Sequence, residues 1–458
     1  MSINFANQRF LVLGAGVTGT SVARSLQARG GSVSIADDNA PNAIKPEAVE
    51  LSNFDAVVIS PGWRQDHPLV VKVLASGLQI LNEIDLAWQI RSEVAPGQKW
   101  LALTGTNGKT TTVEMTAKIL QTAGYKAVAC GNVGDTVIDA VDRTDPYDYL
   151  ILELSSFQLH WAKRAEFVSA AILNIADDHL DWHGNFDSYA DAKFSILDRS
   201  EIAILNADDG EVVKRANRFT DRKVFFSLDT PSPGEIGVVE NLLVDRAFVS
   251  DPQQASMICE LADIKPTVPH NVSNALAAAA LARTVDVSHE LIQKALQEFR
   301  PGRHRIEVVF ESDSIAWVDD SKATNPHAAA ASLMSHLSVV WIAGGLAKGA
   351  DMNAMVQRCK GRIKAAVLIG SDRHLIADAL MQYAPEIPRV LVDVPTDYSR
   401  GGQSNTLMEE VVKAALVHAS AGDTVLMAPA CASMDQFISY ADRGDRFAAA
   451  VKKLVAHE

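Results

Sequence analysis

The chain has 458 residues, 48% of them hydrophobic and 21% charged, a length and composition that set an expectation of two or three globular domains. A net charge of −14 with no long basic stretch excludes nucleic acid as a partner on electrostatic grounds, while local clusters still suit small anionic ligands. The N-terminal run Met1 to Phe10 lacks the apolar core of a signal peptide, and the Ala-rich stretch 275–282 is too short to span a bilayer. Cys130, Cys259, Cys359 and Cys431 stand far apart with no C-x-x-C pair, so neither a zinc site nor a disulfide framework is expected. The reading is a cytoplasmic protein without membrane insertion.

Short apolar runs alternate with helical patterns along the chain, as in parallel sheets faced by helices. The first block, 1–96, has strands expected near 10–13, 33–36 and 56–60 and closes at the turn-rich Val94-Ala95-Pro96-Gly97. Gly14-Ala15-Gly16-Val17-Thr18-Gly19 follows the first strand, and Asp37 with Asp38 ends the second, the spacing of a dinucleotide fingerprint. A packing turn, a dinucleotide site and a site for another diphosphate ligand all fit these residues. Ser60-Pro61-Gly62 ends the third strand, where doubly wound sheets bind ligands; a plain turn has the same composition.

The second block, 97–300, opens with a strand over 100–104 and then Gly105-Thr106-Asn107-Gly108-Lys109-Thr110-Thr111. Backbone N–H groups in such a turn point at phosphate oxygens, Lys109 reaches the β/γ-phosphates and the Thr110 hydroxyl suits Mg²⁺, so the block is expected to handle ATP. Gly105 stands three residues before Gly108 rather than five, which sets the loop apart from those of motors and GTPases. Strands follow near 126–129, 149–153, 170–174 and 203–206, then a short-strand region over 223–269 and helices near 274–284 and 289–298. Glu153, after an apolar strand, suits Mg²⁺ or a solvated strand end. His179, in Asp177-Asp178-His179, reads either as a metal ligand or as a loop histidine among caps. Lys193 reads as an ordinary helix lysine. In His270-Asn271-Val272-Ser273-Asn274 the asparagines suit a helix cap first and an adenine edge second.

Phe299 to Arg303 reads as a second linker. The third block, 301–458, has strands expected near 316–319, 339–343, 365–369, 389–392 and 423–427. Arg305 and Lys322 suit phosphate by fork and by point charge, and Lys348 lies in a Gly-rich turn. A dense string runs from Ala428 through Ser433 and Phe437 to Tyr440 and Arg443-Gly444-Asp445-Arg446. The fold class expected is α/β, with three domains each built on a mostly parallel, doubly wound, Rossmann-like sheet, the central one a P-loop ATP-binding domain.

Taken in order, Gly105-Thr-Asn-Gly-Lys-Thr110, Glu153-Leu-Ser-Ser, Asp178-His179, His270-Asn271-x-x-Asn274, Arg305 and Asp320-Ser-Lys322-Ala-Thr324-Asn325 resemble the Mur ligase superfamily, the ATP-dependent amide-bond-forming enzymes of peptidoglycan synthesis. The N-terminal glycine loop and Pro429-Ala-Cys431-Ala-Ser433-Met-Asp435-Gln436-Phe437 are most similar to its D-glutamate-adding members. The resemblance implies that Val17, Thr18, Asp37, Gly62, Asn132 and His179 bind UDP-N-acetylmuramoyl-L-alanine. It assigns ATP to Gly105, Thr106, Asn107, Gly108, Lys109, Thr110, Thr111, Asn274, Arg305 and Asp320. Lys322, Thr324, Lys348, Ser433 and Tyr440 would surround D-glutamate. Two Mg²⁺ ions would be held by Thr110, Glu153, His179 and a carbamylated Lys193, and Lys109, Glu153, His179 and Lys193 would be catalytic. The resemblance further implies a monomer. Asn39 stands where the family often has arginine, and Tyr440 where it often has phenylalanine. A folate polyglutamate ligase, a non-catalytic precursor sensor and an NAD oxidoreductase are the competing readings. The first block, the intact ATP and metal set, and the Gly105 loop argue against them in turn.

Overall fold

A computed structural model describes residues 5–251, 253–392 and 404–455, so the first four residues of the N-terminal run lie outside the described residues. The chain divides into two compact units, Met1–Phe299 and Arg300–Glu458, and the division falls at the start of the expected second linker.

The first unit holds two sheets. The smaller has β1 (Arg9–Leu13), β2 (Ser32–Ala36), β3 (Ala56–Ile59) and β4 (Gln79–Leu81) in the order β2-β1-β3-β4, all parallel. Ser60 lies just beyond β3, and β4 is too short to stand out in the sequence. The larger sheet has β5 (Lys99–Thr104), β6 (Ala127–Gly131), β7 (Tyr149–Glu153), β8 (Phe167–Ile172), β9 (Ser200–Asn206), β10 (Arg222–Phe226), β11 (Glu235–Val239), β12 (Leu242–Asp245) and β13 (Ser256–Glu260). Their order is β13-β12-β11-β10-β9-β8-β5-β7-β6, parallel from β6 to β11 and antiparallel at the β12 and β13 edge. The fourth parallel strand of this block therefore starts at Phe167, earlier than expected, and leaves Asn174 in a loop.

Period-two alternation turns each strand's residues to opposite faces. Leu101, Leu103, Ile151 and Ile204 join one buried cluster with the helices Lys109–Thr122 and Pro269–Arg283; Trp100, Ala102, Leu150 and Leu205 join the other. Burial on both faces is why these strands read as continuous apolar runs. The Ala-rich stretch is fully buried in Pro269–Arg283, where small side chains allow close helix–sheet approach. Among the described residues, no helix is long and apolar enough to cross a membrane.

The two sheets of this unit are tied by Asn82, Glu83 and Asp85, which cap or begin the helix Glu83–Val94. Asp85 accepts from the backbone N–H groups of Lys163 (2.8 Å), Arg164 (2.8 Å) and Ala165 (3.0 Å), and the Asn82 amide donates to the Trp161 carbonyl (2.9 Å). Glu83 Oε1 accepts from Ile138 N (2.8 Å).

The second unit has β14 (Glu307–Ser312), β15 (Ile315–Asp319), β16 (Val339–Gly344), β17 (Ile363–Ile369), β18 (Arg389–Leu391) and β19 (Thr424–Met427) in the order β14-β15-β19-β16-β17-β18. All pairs are parallel except β14 with β15. The fold class is α/β with three mostly parallel sheets.

Candidate active site

The order of the large sheet decides which loops meet. β5 lies between β7 and β8, so the chain leaves β7 on one side of β5 and enters β8 on the other. That reversal is a topological switch point, and the loops after β5, β7 and β8 converge there. They carry Gly105 to Lys109, Glu153 to Ser155, and Asn174 to His179.

The first and third loops are stitched together. Thr106 N donates to the Asn174 carbonyl (2.9 Å) and Asn107 N to Asn174 Oδ1 (2.8 Å), while Thr106 Oγ1 lies 2.9 Å from the Tyr189 hydroxyl. Gly108 caps the following helix in the left-handed region (φ 83°), and a Cβ there would overlap Asn274 Oδ1. Glycine thus satisfies both the backbone conformation and the close approach. The same contact corrects the reading of Asn274 as a cap. The helix begins at Pro269 with Val268 as its cap, Asn271 bonds the Pro266 carbonyl (2.9 Å), and Asn274 lies one turn in, against the phosphate loop.

Lys109 Nζ donates to the carbonyls of Gly105 and Thr106, both at 2.8 Å. Lys193, only 2% exposed, reaches the same loop from the helix Phe186–Phe194, with Nζ 2.7 Å from the Gly105 carbonyl and 4.9 Å from the centre of the Tyr189 ring. Burial, helped by the neighbouring Lys109 charge, pushes its pKa well below the usual lysine range. Its helix is braced by the buried Arg215, which pairs with Asp187 and Asp191. Glu153, 2% exposed, accepts from Asn132 Nδ2 at Oε1 (2.7 Å), and its buried Oε2 has no hydrogen-bond partner among the described residues. A buried carboxylate oxygen left this way at a strand end suits a hard cation. His179 sits in the left-handed region (φ 53°), half exposed, with its ring 4.7 Å from that of Phe157. Behind it His183, pushed down to about 4 mainly by burial, lies 2.9 Å from Ser156 Oγ.

The small sheet has a switch point of its own between β1 and β3, whose following loops leave the same end of the sheet. Asp37 Oδ2 accepts from Ala15 N (2.8 Å), and Oδ1 accepts from the N–H groups of Asn39 (2.8 Å) and Ala40 (2.9 Å), which hold its pKa down. Val17, just after the β1 loop, is 75% exposed, and Gly62 of the β3 loop is exposed. Arg64 of the β3 loop donates to the Asp181 carbonyl (2.6 Å), two residues after His179.

In the second unit, Lys322, Lys348, Ser433 and Tyr440 follow β15, β16 and β19 at one end of the sheet. Lys322 Nζ lies 4.0 Å from the Tyr440 ring centre, a cation–π contact. Ser433 is buried, Thr324 is half-buried and Lys348 is exposed in the left-handed region. Burial raises Asp320 to about 7. His304, Glu307 and Asp319 lie close enough together to hold a cation, but His304 Nδ1 already bonds Asp319 (2.7 Å) and Glu307 accepts from His304 N (2.9 Å).

A family model of the Mur ligase middle domain matches residues 103–282, and one described as Mur ligase, glutamate ligase domain, matches 304–431. The UDP-N-acetylmuramoylalanine–D-glutamate ligase of Thermobifida fusca is 46% identical, with 98% of each chain covered. The ligase of the same name from Streptomyces coelicolor is 43% identical, with 100% of each covered.

The chain belongs to the Mur ligase family.

Solved structures share the fold. A pseudomurein peptide ligase type C from Methanothermus fervidus superposes with a TM-score of 0.61 at 20% identity, covering 98% of this chain and 100% of its own. The UDP-N-acetylmuramate-alanine ligase of Thermotoga maritima gives 0.58 at 18%, covering 99% and 100%.

In this Mur ligase, Lys109, Thr110, Glu153, Asn132, Lys193 and Asn274 belong to the first unit's switch point, with His179 in the adjoining loop. Val17, Thr18, Asp37 and Gly62 lie at the small sheet's end. Arg305 and Asp320 belong to the second unit. Sequence reasoning passed over Glu83, Asp85, Arg215 and Ser321. Their partners are backbone groups or residues distant in the chain; Glu83 and Asp85 stand as charged residues inside an apolar pattern, whereas Arg215 and Ser321 lie in polar runs and carry no such signal.

Proposed function

We propose that this chain adds D-glutamate to UDP-N-acetylmuramoyl-L-alanine, cleaving ATP to ADP and phosphate through an acyl phosphate, as a cytoplasmic monomer in peptidoglycan precursor synthesis. Relatives of that name along the whole chain support the substrate pair. The observation that carries the chemistry is the convergence of Lys109, Glu153 and Lys193 on one phosphate loop. The domain boundaries proposed are 1–96, 97–300 and 301–458.

The alanyl carboxylate attacks the γ-phosphorus, ADP leaves, and the glutamate amine attacks the acyl carbon. The tetrahedral adduct loses a proton and phosphate to leave the amide. The first step brings two anions together, so positive charge at the loop matters most. Lys109 and the loop Gly105, Thr106, Asn107, Gly108, Thr110 and Thr111 hold the phosphates, with Asn174 engaging the N–H groups of Thr106 and Asn107 to fix the loop's shape, and Asn274 orients the nucleotide with Arg305 and Asp320. Thr110, Glu153, His179 and Lys193 fit two Mg²⁺ ions, which would neutralise charge between the reacting anions. The uncharged Lys193 amine, favoured by burial, is a nucleophile for carbon dioxide. N–C bond formation with loss of a proton to solvent gives a carbamate, an anion where an ammonium would repel metal. Val17, Thr18, Asp37, Gly62, Asn132 and His179 hold the sugar nucleotide. Lys322, Thr324, Lys348, Ser433 and Tyr440 hold D-glutamate.

The test is phosphate release from ATP and Mg²⁺ with UDP-N-acetylmuramoyl-L-alanine and D-glutamate, L-glutamate, L-lysine or meso-diaminopimelate added singly. Release and an amide product with D-glutamate alone is expected. Turnover with L-glutamate alone overturns the stereochemistry, and no turnover with any of them overturns the reaction.

A further inference from the structure

Arg443 and Gly444, prominent in the C-terminal string, have no part in the reaction as assigned above. Arg443 lies in the first turn of the helix Tyr440–Leu454 and is fully buried (0% exposed). A buried guanidinium is costly unless its donors are satisfied. Nε donates to Ser321 Oγ (2.9 Å), and Nη2 donates to the carbonyls of Ser321 (3.0 Å) and Cys431 (3.2 Å). Nη1 donates to the carbonyls of Cys431 (3.2 Å) and Gly344 (3.5 Å). The Ser321 hydroxyl passes the link on by donating to the Tyr440 carbonyl (2.8 Å).

These acceptors have one thing in common. Ser321 follows β15, Gly344 ends β16, and Cys431 follows β19, three neighbouring strand ends in the sheet. Each loop carries a residue proposed to touch the amino acid: Lys322 next to Ser321, Lys348 after Gly344, and Ser433 after Cys431. Tyr440 is reached through the Ser321 hydroxyl. Among the described residues, none of the acceptors is a carboxylate; Asp319 and Asp435 act on the cation only through space, and burial lowers its pKa to about 10. A planar fork with five N–H donors spans such a set, whereas an ammonium reaches it from a single point.

The neighbouring glycine belongs to the same arrangement. A Cβ on Gly444 would overlap His304 Nδ1 and Asp319 Oδ2, so only glycine lets the helix lie close enough for Arg443 to reach all three loops. Cross-braces tie the β17 loop to the same cluster. Asp435 Oδ2 accepts from Ser371 N (2.8 Å), and Asp372 Oδ2 accepts from Ala347 N (2.8 Å).

We propose that Arg443 is a positioning residue for the incoming amino acid, its fork fixing the β15, β16 and β19 loops relative to one another so that Lys322, Lys348, Ser433 and Tyr440 face a single ligand. This rests on the assignment of those four residues to the D-glutamate site.

Two variants test it. Arg443→Lys keeps the charge and loses the fork. Ser321→Ala removes one acceptor and the link to Tyr440 while leaving the guanidinium's carbonyl bonds. Each is assayed by phosphate release with D-glutamate, ATP and the UDP-sugar substrate varied in turn, alongside the thermal unfolding midpoint. The expected result is a KM for D-glutamate raised roughly 10-fold or more in Arg443→Lys and a few-fold in Ser321→Ala, with the KM values of the other two substrates held within about 2-fold. Turnover at saturating D-glutamate should stay closer to the wild type than KM does. An unchanged D-glutamate KM in a folded variant overturns the proposal, and so does a parallel rise in all three KM values with a fallen midpoint, the mark of a purely structural role. Should Arg443→Lys fail to fold, Ser321→Ala decides by the same criteria. A wild-type enzyme that releases no phosphate with D-glutamate overturns the underlying reading and this proposal with it. A wild type that turns over while both variants bind D-glutamate normally overturns the positioning role alone.

Discussion

At the end of the nine-stranded sheet, buried charge is left partly unengaged. Glu153 keeps a carboxylate oxygen without a partner among the described residues, and Lys193 is pushed toward its neutral form beside a phosphate loop. At the end of the six-stranded sheet, the most deeply buried cation is fully occupied, with all of Arg443's bonds going to loop carbonyls and a hydroxyl. Both are loop clusters at the C-terminal ends of parallel strands. Under the proposed function, the difference separates groups that would take a ligand from groups that would shape the loops around one, and burial alone does not distinguish them.

The largest expected effect tests the first of these regions. Lys193→Ala should cut turnover by roughly 10²–10³-fold or more, the scale of losing a group that handles transition-state charge. Small carboxylates added to the assay should restore part of it. Near-normal turnover, or no rescue, would break the distinction, because Lys193 would then be packing. Asn132→Ala removes the amide that orients Glu153. The concentration of Mg²⁺ needed for half-maximal rate should rise ~10–100-fold, as for other groups that orient a metal ligand. An unchanged requirement would detach Glu153 from the metal.

The scaffold region is tested by stability rather than rate. Gly444→Ala forces a methyl into His304 and Asp319 and should destabilise the second unit by ~1–3 kcal/mol, read as a lowered unfolding midpoint. The smallest effect depends on pH. Burial holds Glu83 up at about 7, so the folded state binds that proton more tightly than the unfolded chain does. The stabilising neutral form is present at low pH and lost as pH rises through 7. Glu83→Gln keeps an oxygen for Ile138 N without the charge. It should match the wild type near about pH 4 and exceed it by at most ~3 kcal/mol above about pH 8. Equal pH profiles in chemical denaturation would contradict this.

The phosphate loop was readable in the sequence because its parts are contiguous: an apolar strand, glycines, Gly108-Lys109-Thr110 and a helix. The three sheets followed from alternating apolar runs, and the second linker from Phe299 to Arg303. The short β4 and the antiparallel β14 escaped, the first for lack of length and the second because its alternating, half-exposed residues resemble a loop. Lys193 has no local signature; its meaning comes from the Gly105 carbonyl, 88 residues away in the chain. Asn274 shows how a local rule misleads, since asparagine near a helix start favours capping until a loop from elsewhere packs against it. Arg443 was visible as a residue, but its role depends on carbonyls up to 122 positions away, and every residue has a carbonyl.

All four cysteines are buried, Cys130 and Cys259 in the first unit and Cys359 and Cys431 in the second. Burial raises each thiol's pKa, to about 12 for Cys259 and Cys431, so the native protein presents little thiolate to an alkylating reagent. Modification must then wait for opening, and the two units carry two reporters each. Mass-resolved alkylation over time would clock the opening of each unit separately, with no label introduced, and a bound ligand would declare which unit it stabilises by the pair of cysteines it slows.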